Sequence, residues 1–245
     1  MISKNQIKLI RSLKQNKFRK EHALFVAEGP KIVGEFPGST MKVDTIFALE
    51  DWIIENEEKF KYQKAAMVKV SAKELSQISN LSTPNQVLAL CRIPDRDPDD
   101  IPEDEDLILA LDGIRDPGNL GTIIRTADWF GVKHLICSDD CVDVFNPKVV
   151  QSTMGSISRV KVYYTDLAEY LYNAGTDIYA TVMDGQSIFD SSPGKGIYVI
   201  GNESNGIRPE VLRHATEKIS IPASGKAESL NAAVATGVVL ALASK

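Results

Sequence analysis

Five side chains in this sequence could act together on a polar substrate: Asn119, Arg125, Glu203, Ser229 and Asn231. They lie in three separated segments, Asn119-Leu-Gly-Thr-Ile-Ile-Arg125, Gly201-Asn-Glu-Ser-Asn-Gly206, and Ile221-Pro222 running on to Ser229-Leu-Asn231. A carboxylate, a guanidinium, a hydroxyl and two carboxamides gathered together look like a site, and the planar guanidinium suits phosphate or ribose oxygens. Taken singly, each has a plainer role. Arg125 alone is an ordinary helix-surface ion-pair partner, Glu203 a solvated loop carboxylate, and Ser229 or Asn231 a helix cap. Their placement raises them above that. Each segment follows an apolar, strand-like run, and in a parallel α/β sheet the strand ends gather on one ligand-binding edge. Asn119 is expected at a helix N-cap, with Arg125 about one and a half turns further on.

The commoner uses of glycine turns are excluded. Asp116-Pro-Gly-Asn-Leu-Gly121 opens a helix but lacks the G-x-G-x-x-G spacing of a dinucleotide site. Gly225-Lys226 is followed by Ala227 and preceded by Ser220 where a P-loop needs glycine. There is no G-x-S-x-G nucleophile elbow. The three histidines (His22, His134, His214) are widely spaced, which gives neither a triad nor a histidine-rich metal site, and no metal is expected.

The elements that must position these residues follow from the apolar runs. Strands are expected at Leu107–Leu111, His134–Cys137, Val160–Tyr164, Ile178–Met183, Ile197–Ile200 and Lys218–Ile221. They alternate with helices from the Asn119 turn to Phe130, near Pro147–Ser156, Asp166–Asn173, Pro209–Ala215 and Leu230–Ala243. Such alternation predicts a parallel sheet with helices on both faces. Upstream, a basic helix at Ser3–Gln15 is followed by strands at Leu24–Ala27, Val43–Ala48, Met67–Val70 and Gln86–Cys91. Helices near Pro30, Trp52–Lys59 and Ala72–Ile78 complete a small α/β domain. Between the halves, residues 93–106 carry three prolines and eight acids and read as an extended linker. The expected division is therefore 1–92, 93–106 and 107–245.

The chain has 245 residues with 43% hydrophobic and 25% charged content, ordinary for a soluble globular protein. No charged and apolar leader is seen, and three cysteines without metal-ligand spacing suit a reducing cytoplasm. The uncharged, largely apolar run Asn231–Ser244 is too short to span a bilayer, so no membrane partner is expected. The net charge of −5 hides an asymmetry. Residues 1–92 hold 15 basic against 10 acidic residues, and the first twenty contain seven basic residues and no acid. A clustered basic face binds phosphates even on an acidic protein, because fields are screened beyond roughly 10 Å. Lys14, Lys17, Arg19 and Lys20 are the expected phosphate contacts, with Ile7, Leu9, Ile10 and Leu13 on the inward face of the helix.

Together these segments resemble the SpoU (TrmH-like) branch of the SPOUT RNA methyltransferases. The resemblance covers residues 107–245. It matches Asn119, Gly121 and Arg125 in a first motif, Gly201, Glu203 and Gly206 in a second, and Ile221, Pro222, Gly225, Ser229, Leu230 and Asn231 in a third. Ser204 departs from the commoner Gly-x-Glu-Gly form of the second motif. The N-terminal stretch, with Asn5–Leu13, Phe18–His22 and Phe25–Gly29, resembles the small substrate-binding domain of SpoU-type rRNA enzymes.

The resemblance implies an α/β knot with a deep C-terminal trefoil, preceded by a small α/β RNA-binding domain. It implies S-adenosylmethionine as cofactor, bound at Val182, Gly201, Asn202, Glu203, Gly206, Ile221, Pro222, Ser229, Leu230 and Asn231. It further implies methylation of a ribose 2'-hydroxyl, with large-subunit rRNA favoured over tRNA, and a homodimer through the last helix. A catalytically silent RNA-binding or ribosome-assembly factor is the rival from another class. The expected catalytic set is Arg125, Asn119, Glu203, Ser229 and Asn231. The family proposal makes the counterpart of Arg125 the base. A guanidinium, with a pKa above about 12, is a donor only. Arg125 is therefore assigned to orienting the ribose or a phosphate, and the proton acceptor stays open.

Overall fold

The computed structural model describes residues 2–102, 105–191 and 194–244, and it divides into two compact units. The first comprises residues 1–95 and 143–159; the second comprises 96–142 and 160–245.

In the first unit, helix α1 (Lys4–Ser12) begins at a capping box. Ser3 Oγ accepts the Gln6 N–H at 3.2 Å and the Gln6 side chain accepts the Ser3 N–H at 2.9 Å. Ile10 and Leu13 are fully buried, with Ile7 and Leu9 packed beside them, as the apolar spacing predicts. The expected single helix to Gln15 is instead broken: α1 stops at Ser12 and α2 (Asn16–His22) starts afresh. Arg19 accounts for the break. Its Nη1 donates to the carbonyls of Leu13 and Lys14 at 2.8 and 2.9 Å, satisfying acceptors the helix end leaves open. Its Nε and Nη2 donate to Asp143 Oδ2 at 2.8 and 2.5 Å. With only 2% of its surface exposed, Arg19 cannot be the phosphate contact expected from the sequence; it is a structural cation. Lys14, Lys17 and Lys20 remain exposed.

After α2 come β1 (Leu24–Glu28), α3 (Pro30–Gly34), β2 (Val43–Ala48), α4 (Glu50–Phe60), β3 (Ala66–Lys69), α5 (Ala72–Ile78) and β4 (Val87–Arg92). The strands form one sheet in the order β1-β4-β2-β3, antiparallel except for the β2–β3 pair. Residues 143–159 join this unit through the Asp143 ion pair and Phe145, whose ring lies 4.7 Å from that of Phe25.

The second unit holds β5 (Leu107–Asp112), α6 (Pro117–Trp129) and β6 (His134–Ser138); the chain then contributes α7 (Pro147–Ser152) to the first unit. It continues with β7 (Lys161–Thr165), α8 (Leu167–Asn173), β8 (Ile178–Ser187), β9 (Gly196–Gly201), α9 (Pro209–Leu212), β10 (Glu217–Ser220) and α10 (Ala232–Ala243). Its six strands are all parallel, in the order β10-β8-β9-β5-β6-β7. The chain winds outward from β5 through β6 and β7, then crosses back to β8, β9 and β10 on the other side. That reversal makes the β5/β9 boundary a topological switch point, where open α/β sheets bind ligands.

The acidic segment is only partly a spacer. Residues from Arg96 onward pack with the second unit, Ile101 lies against its apolar core, and Glu105 faces Lys133 at 3.6 Å and His134 at 3.7 Å. An apolar contact and two charge contacts thus tie this polar run to the second unit. Residues 103 and 104 lie outside the described residues.

Removing one partner of a buried ion pair leaves the other uncompensated, at a cost of about 3–5 kcal/mol. Arg19→Ala should therefore lower unfolding stability by about that much in denaturant titration, while exposed Lys20→Ala should change it by under about 0.5 kcal/mol. Equal shifts for the two variants would remove the structural role assigned to Arg19.

Candidate active site

Helix α6 starts earlier than expected. Asp116 is its N-cap, accepting the Asn119 N–H at 2.8 Å, and Pro117 occupies the first turn, where its fixed φ suits a helix. Asn119 is thus the third helical residue, not the cap, and its side chain is free for other work. Its Nδ2 donates to Glu203 Oε1 and its Oδ1 accepts from Asn231 Nδ2 at 2.9 Å. Asn231 is itself the cap of α10, its Oδ1 accepting the N–H groups of Ala233 and Val234 at 3.0 and 3.4 Å. Three loops distant in sequence are thereby tied by side chains of all three motifs.

The loop after β9 is built around Asn202. Its backbone pairs with Gly206, its Oδ1 accepts the N–H groups of Ser204 and Asn205 at 2.9 and 3.2 Å, and its Nδ2 donates to the Gly113 carbonyl at 2.7 Å. Gly206 has φ +66°, and a Cβ on Gly201 would lie 2.3 Å from the Gly206 carbonyl carbon. The tight loop needs glycine at both places. Ser204 sits exposed at its tip, where a side chain meets no obstacle.

Beneath this loop, Asp112 ends β5 beside Gly201 and is 1% exposed. Its carboxylate accepts the Arg208 N–H and Nε–H, both at 2.7 Å, and faces Arg208 Nη2 at 2.5 Å. Hydrogen bonding to Asp112 raises the Arg208 pKa further. Asp140 takes an Arg115 hydrogen bond at 2.9 Å, the leading cause of its lowered pKa. The Cys141 thiol is pulled down to about 7 by hydrogen bonding from Cys137, then from Ser138 and the N–H groups of Ile114 and Gly113. These groups brace the β5–α6 turn.

A cavity of about 1000 Å³ opens between the ends of β8 and β9, the loop after β10, and the start of α10. Of the residues expected to hold a cofactor, Val182, Gly201, Asn202, Glu203, Gly206, Ile221, Pro222, Ser229 and Leu230 line it. Asn231 does not line it; it stands behind as the cap. Thr181, Met183, Asn205 and Glu228 line it as well. Arg125 is exposed on α6, neither lines the cavity nor makes a hydrogen bond or ion pair among the described residues, and lies more than two turns into the helix. The structure thus brings Asn119, Glu203, Ser229 and Asn231 together and leaves Arg125 apart.

Sequence reasoning missed Asp112, Arg208 and Gly113. Asp112 closes an apolar strand run as a single carboxylate, and only the sheet register sets it against Gly201 and the residues after the loop. The run Leu-Asp-Gly at a strand end was the available signal.

Replacing an N-cap asparagine by alanine costs about 1 kcal/mol. Asn231→Ala should cost at least that in thermal or denaturant unfolding, because it also strips Asn119 of its donor. In a double-mutant cycle with Asn119→Ala the two losses should fall short of additivity by 0.5 kcal/mol or more, in the range of order typical for contacting polar pairs. Simple additivity would break the proposed chain.

Known proteins resemble this chain in sequence and in fold. Residues 106–241 match the SpoU rRNA Methylase family, and residues 4–89 match the MRM3-like substrate binding domain. The 23S rRNA (guanosine(2553)-2'-O)-methyltransferase RlmP of Bacillus subtilis is 29% identical over 97% of this chain and 96% of its own length. A TrmH-family protein from Porphyromonas gingivalis superposes with a TM-score of 0.87 at 35% identity, covering 98% of this chain and 97% of that one. An AdoMet-bound rRNA methyltransferase from Sinorhizobium meliloti gives 0.87 at 32% identity, over 98% and 95% of the two chains. With the sequence motifs gathered at one sheet edge, and with a family match covering more than half its length, this chain belongs to the SpoU rRNA methylase family.

Proposed function

We propose that this chain methylates a ribose 2'-hydroxyl of large-subunit rRNA, using S-adenosylmethionine. The observation that carries the reading is the convergence of Asn119, Glu203 and Asn231 beside a cavity of the right size and composition. Cofactor pockets run from roughly 300 to 1,000 Å³. Apolar Val182, Ile200, Ile221 and Leu230 suit an adenine, and the Gly201–Gly206 turn exposes backbone to its edge. The carboxylate of Glu228 complements the positive charge of S-adenosylmethionine. When bound, that cofactor supplies an electrophilic methyl group on a sulfonium.

The chain's own residues do the rest. The three-loop network fixes the Glu203 carboxylate before any substrate arrives, so little reorganisation is left to the reaction. Arg125, exposed and unpaired, supports a contact to ribose or phosphate through a planar guanidinium. The N-terminal unit contributes Lys14, Lys17 and Lys20 as a phosphate-binding face. A second copy on α10 accords with a helix free of charged residues that leaves Val234 54% exposed, since a helix apolar all round calls for cover. The trefoil threading of residues 107–245 belongs to the same proposal, as do the cytoplasmic location and the division into RNA-binding and catalytic domains. Among the described residues no helix is long and apolar enough to cross a membrane.

The direct test is nucleoside mass mapping of rRNA from a strain lacking the gene, which should miss one 2'-O-methyl mark that purified protein restores. A protein that binds rRNA but restores no mark would be a silent binder. Replacing Lys14, Lys17 and Lys20 with alanine should weaken RNA binding. Each lost phosphate contact should flatten the slope of log affinity against log salt by roughly 0.7–0.9. An unchanged slope would place the RNA elsewhere.

Arg125→Ala should abolish methyl transfer while leaving S-adenosylmethionine affinity nearly intact by calorimetry. Arg125→Lys should also lose most activity, since it keeps the charge but not the fork. Loss of cofactor binding in a folded Ala variant would put Arg125 in the cofactor pocket instead.

A further inference from the structure

Transfer of a methyl group to a ribose hydroxyl releases a proton, and the geometry points to Glu203 as the group that takes it. We propose that the Glu203 carboxylate is the general base; the inference rests on the methyltransferase reading above.

The argument starts from a helix cap. Asn231 Oδ1 is committed to the N–H groups of Ala233 and Val234, so its Nδ2 must face outward as a donor. That donor requires Asn119 Oδ1 opposite it, at 2.9 Å. The Asn119 amide is then fixed with Nδ2 toward Glu203, where only an acceptor can sit. The polarity of the whole run is therefore set by α10, and it ends on one oxygen of a carboxylate. The other Glu203 oxygen has no hydrogen-bond or ion-pair partner among the described residues, on a side chain that lines the cavity. One oxygen anchored and one left over is the arrangement a positioned base requires.

The alternatives fit less well. Arg125 lies six residues beyond Asn119 on α6, roughly 240° around the helix and about 9 Å along it, and does not line the cavity. Glu228 is the other ionisable residue lining the cavity, but no hydrogen bond orients it among the described residues. Asp116 is occupied with the Asn119 N–H. In the step itself, the 2'-oxygen forms its bond to the methyl carbon as the carbon–sulfur bond breaks. The bonding pair stays on sulfur, and the hydroxyl proton passes to the free oxygen of Glu203. The methyl ether, a neutral thioether and a protonated carboxyl result.

Glu203→Gln tests this with little change in shape, because the Gln carbonyl still accepts from Asn119. General-base catalysis contributes roughly 10²–10⁴-fold, so kcat should fall by that factor while S-adenosylmethionine affinity, by calorimetry, stays within threefold. A readout independent of turnover uses the mapped target in a short RNA, as ribose or 2'-deoxyribose, without cofactor. Wild type should bind the ribose form more tightly, and Glu203→Ala should bind both alike. A Gln variant with over a tenth of wild-type kcat, or unchanged ribose preference in the Ala variant, would overturn the proposal. If wild type itself forms no 2'-O-methyl product, the methyltransferase reading fails instead, and the two failures are distinguishable.

Discussion

The second unit depends on one constraint: the loop after β9 and the starts of α6 and α10 must be held together at the switch point of a parallel sheet. The Asn231–Asn119–Glu203 run satisfies it. A cap that α10 needs anyway doubles as the orienting partner of a residue from α6, which in turn holds the residue from the loop after β9. A carboxamide has one donor end and one acceptor end, so two in series transmit direction as well as contact. The proposed chemistry and the stability of the fold therefore share the same atoms. Asp112 does comparable work one layer down, where a buried carboxylate holds Arg208 and so the chain leaving the loop.

Much of this was legible in the sequence. Apolar runs bounded by polar turns gave each strand of the second unit to within a few residues except β8, which runs on to Ser187, because strand periodicity is a strong signal in buried parallel sheets. The residues Asn119, Glu203, Ser229 and Asn231 were readable as a group from their positions after strand ends. What could not be read was which of two neighbours caps a helix. Asp116 and Asn119 are both good cap residues, and the choice turns on Pro117, which favours the earlier start.

Arg19 was misread for a related reason. Seven cations in twenty residues look like one surface, but a helix has an inner face, and a break in it needs donors. Arg19 sits where the break's carbonyls need them, and its own charge is matched by an aspartate 124 residues away. No local pattern announces a partner so distant. The same limit hid the docking of Ile101, one of two isoleucines in a run that composition marks as solvated.

The excursion of residues 143–159 into the first unit has a bearing on how the protein is made and how such proteins can be rebuilt. A ribosome releases the N-terminus first, yet the first unit is not complete until the chain has emerged as far as residue 159, well into the second. Until then Arg19 carries an unmatched charge and Phe25 lacks its aromatic neighbour Phe145. The two units therefore cannot mature strictly one after the other, although the sequence places a proline-rich, acidic stretch between them as if they could. Recombination at that stretch would also hand the recipient an incomplete first unit and a second unit carrying an orphaned loop. Inheritance of the two halves as one piece is thus favoured by covalent topology alone, whatever RNA either half touches.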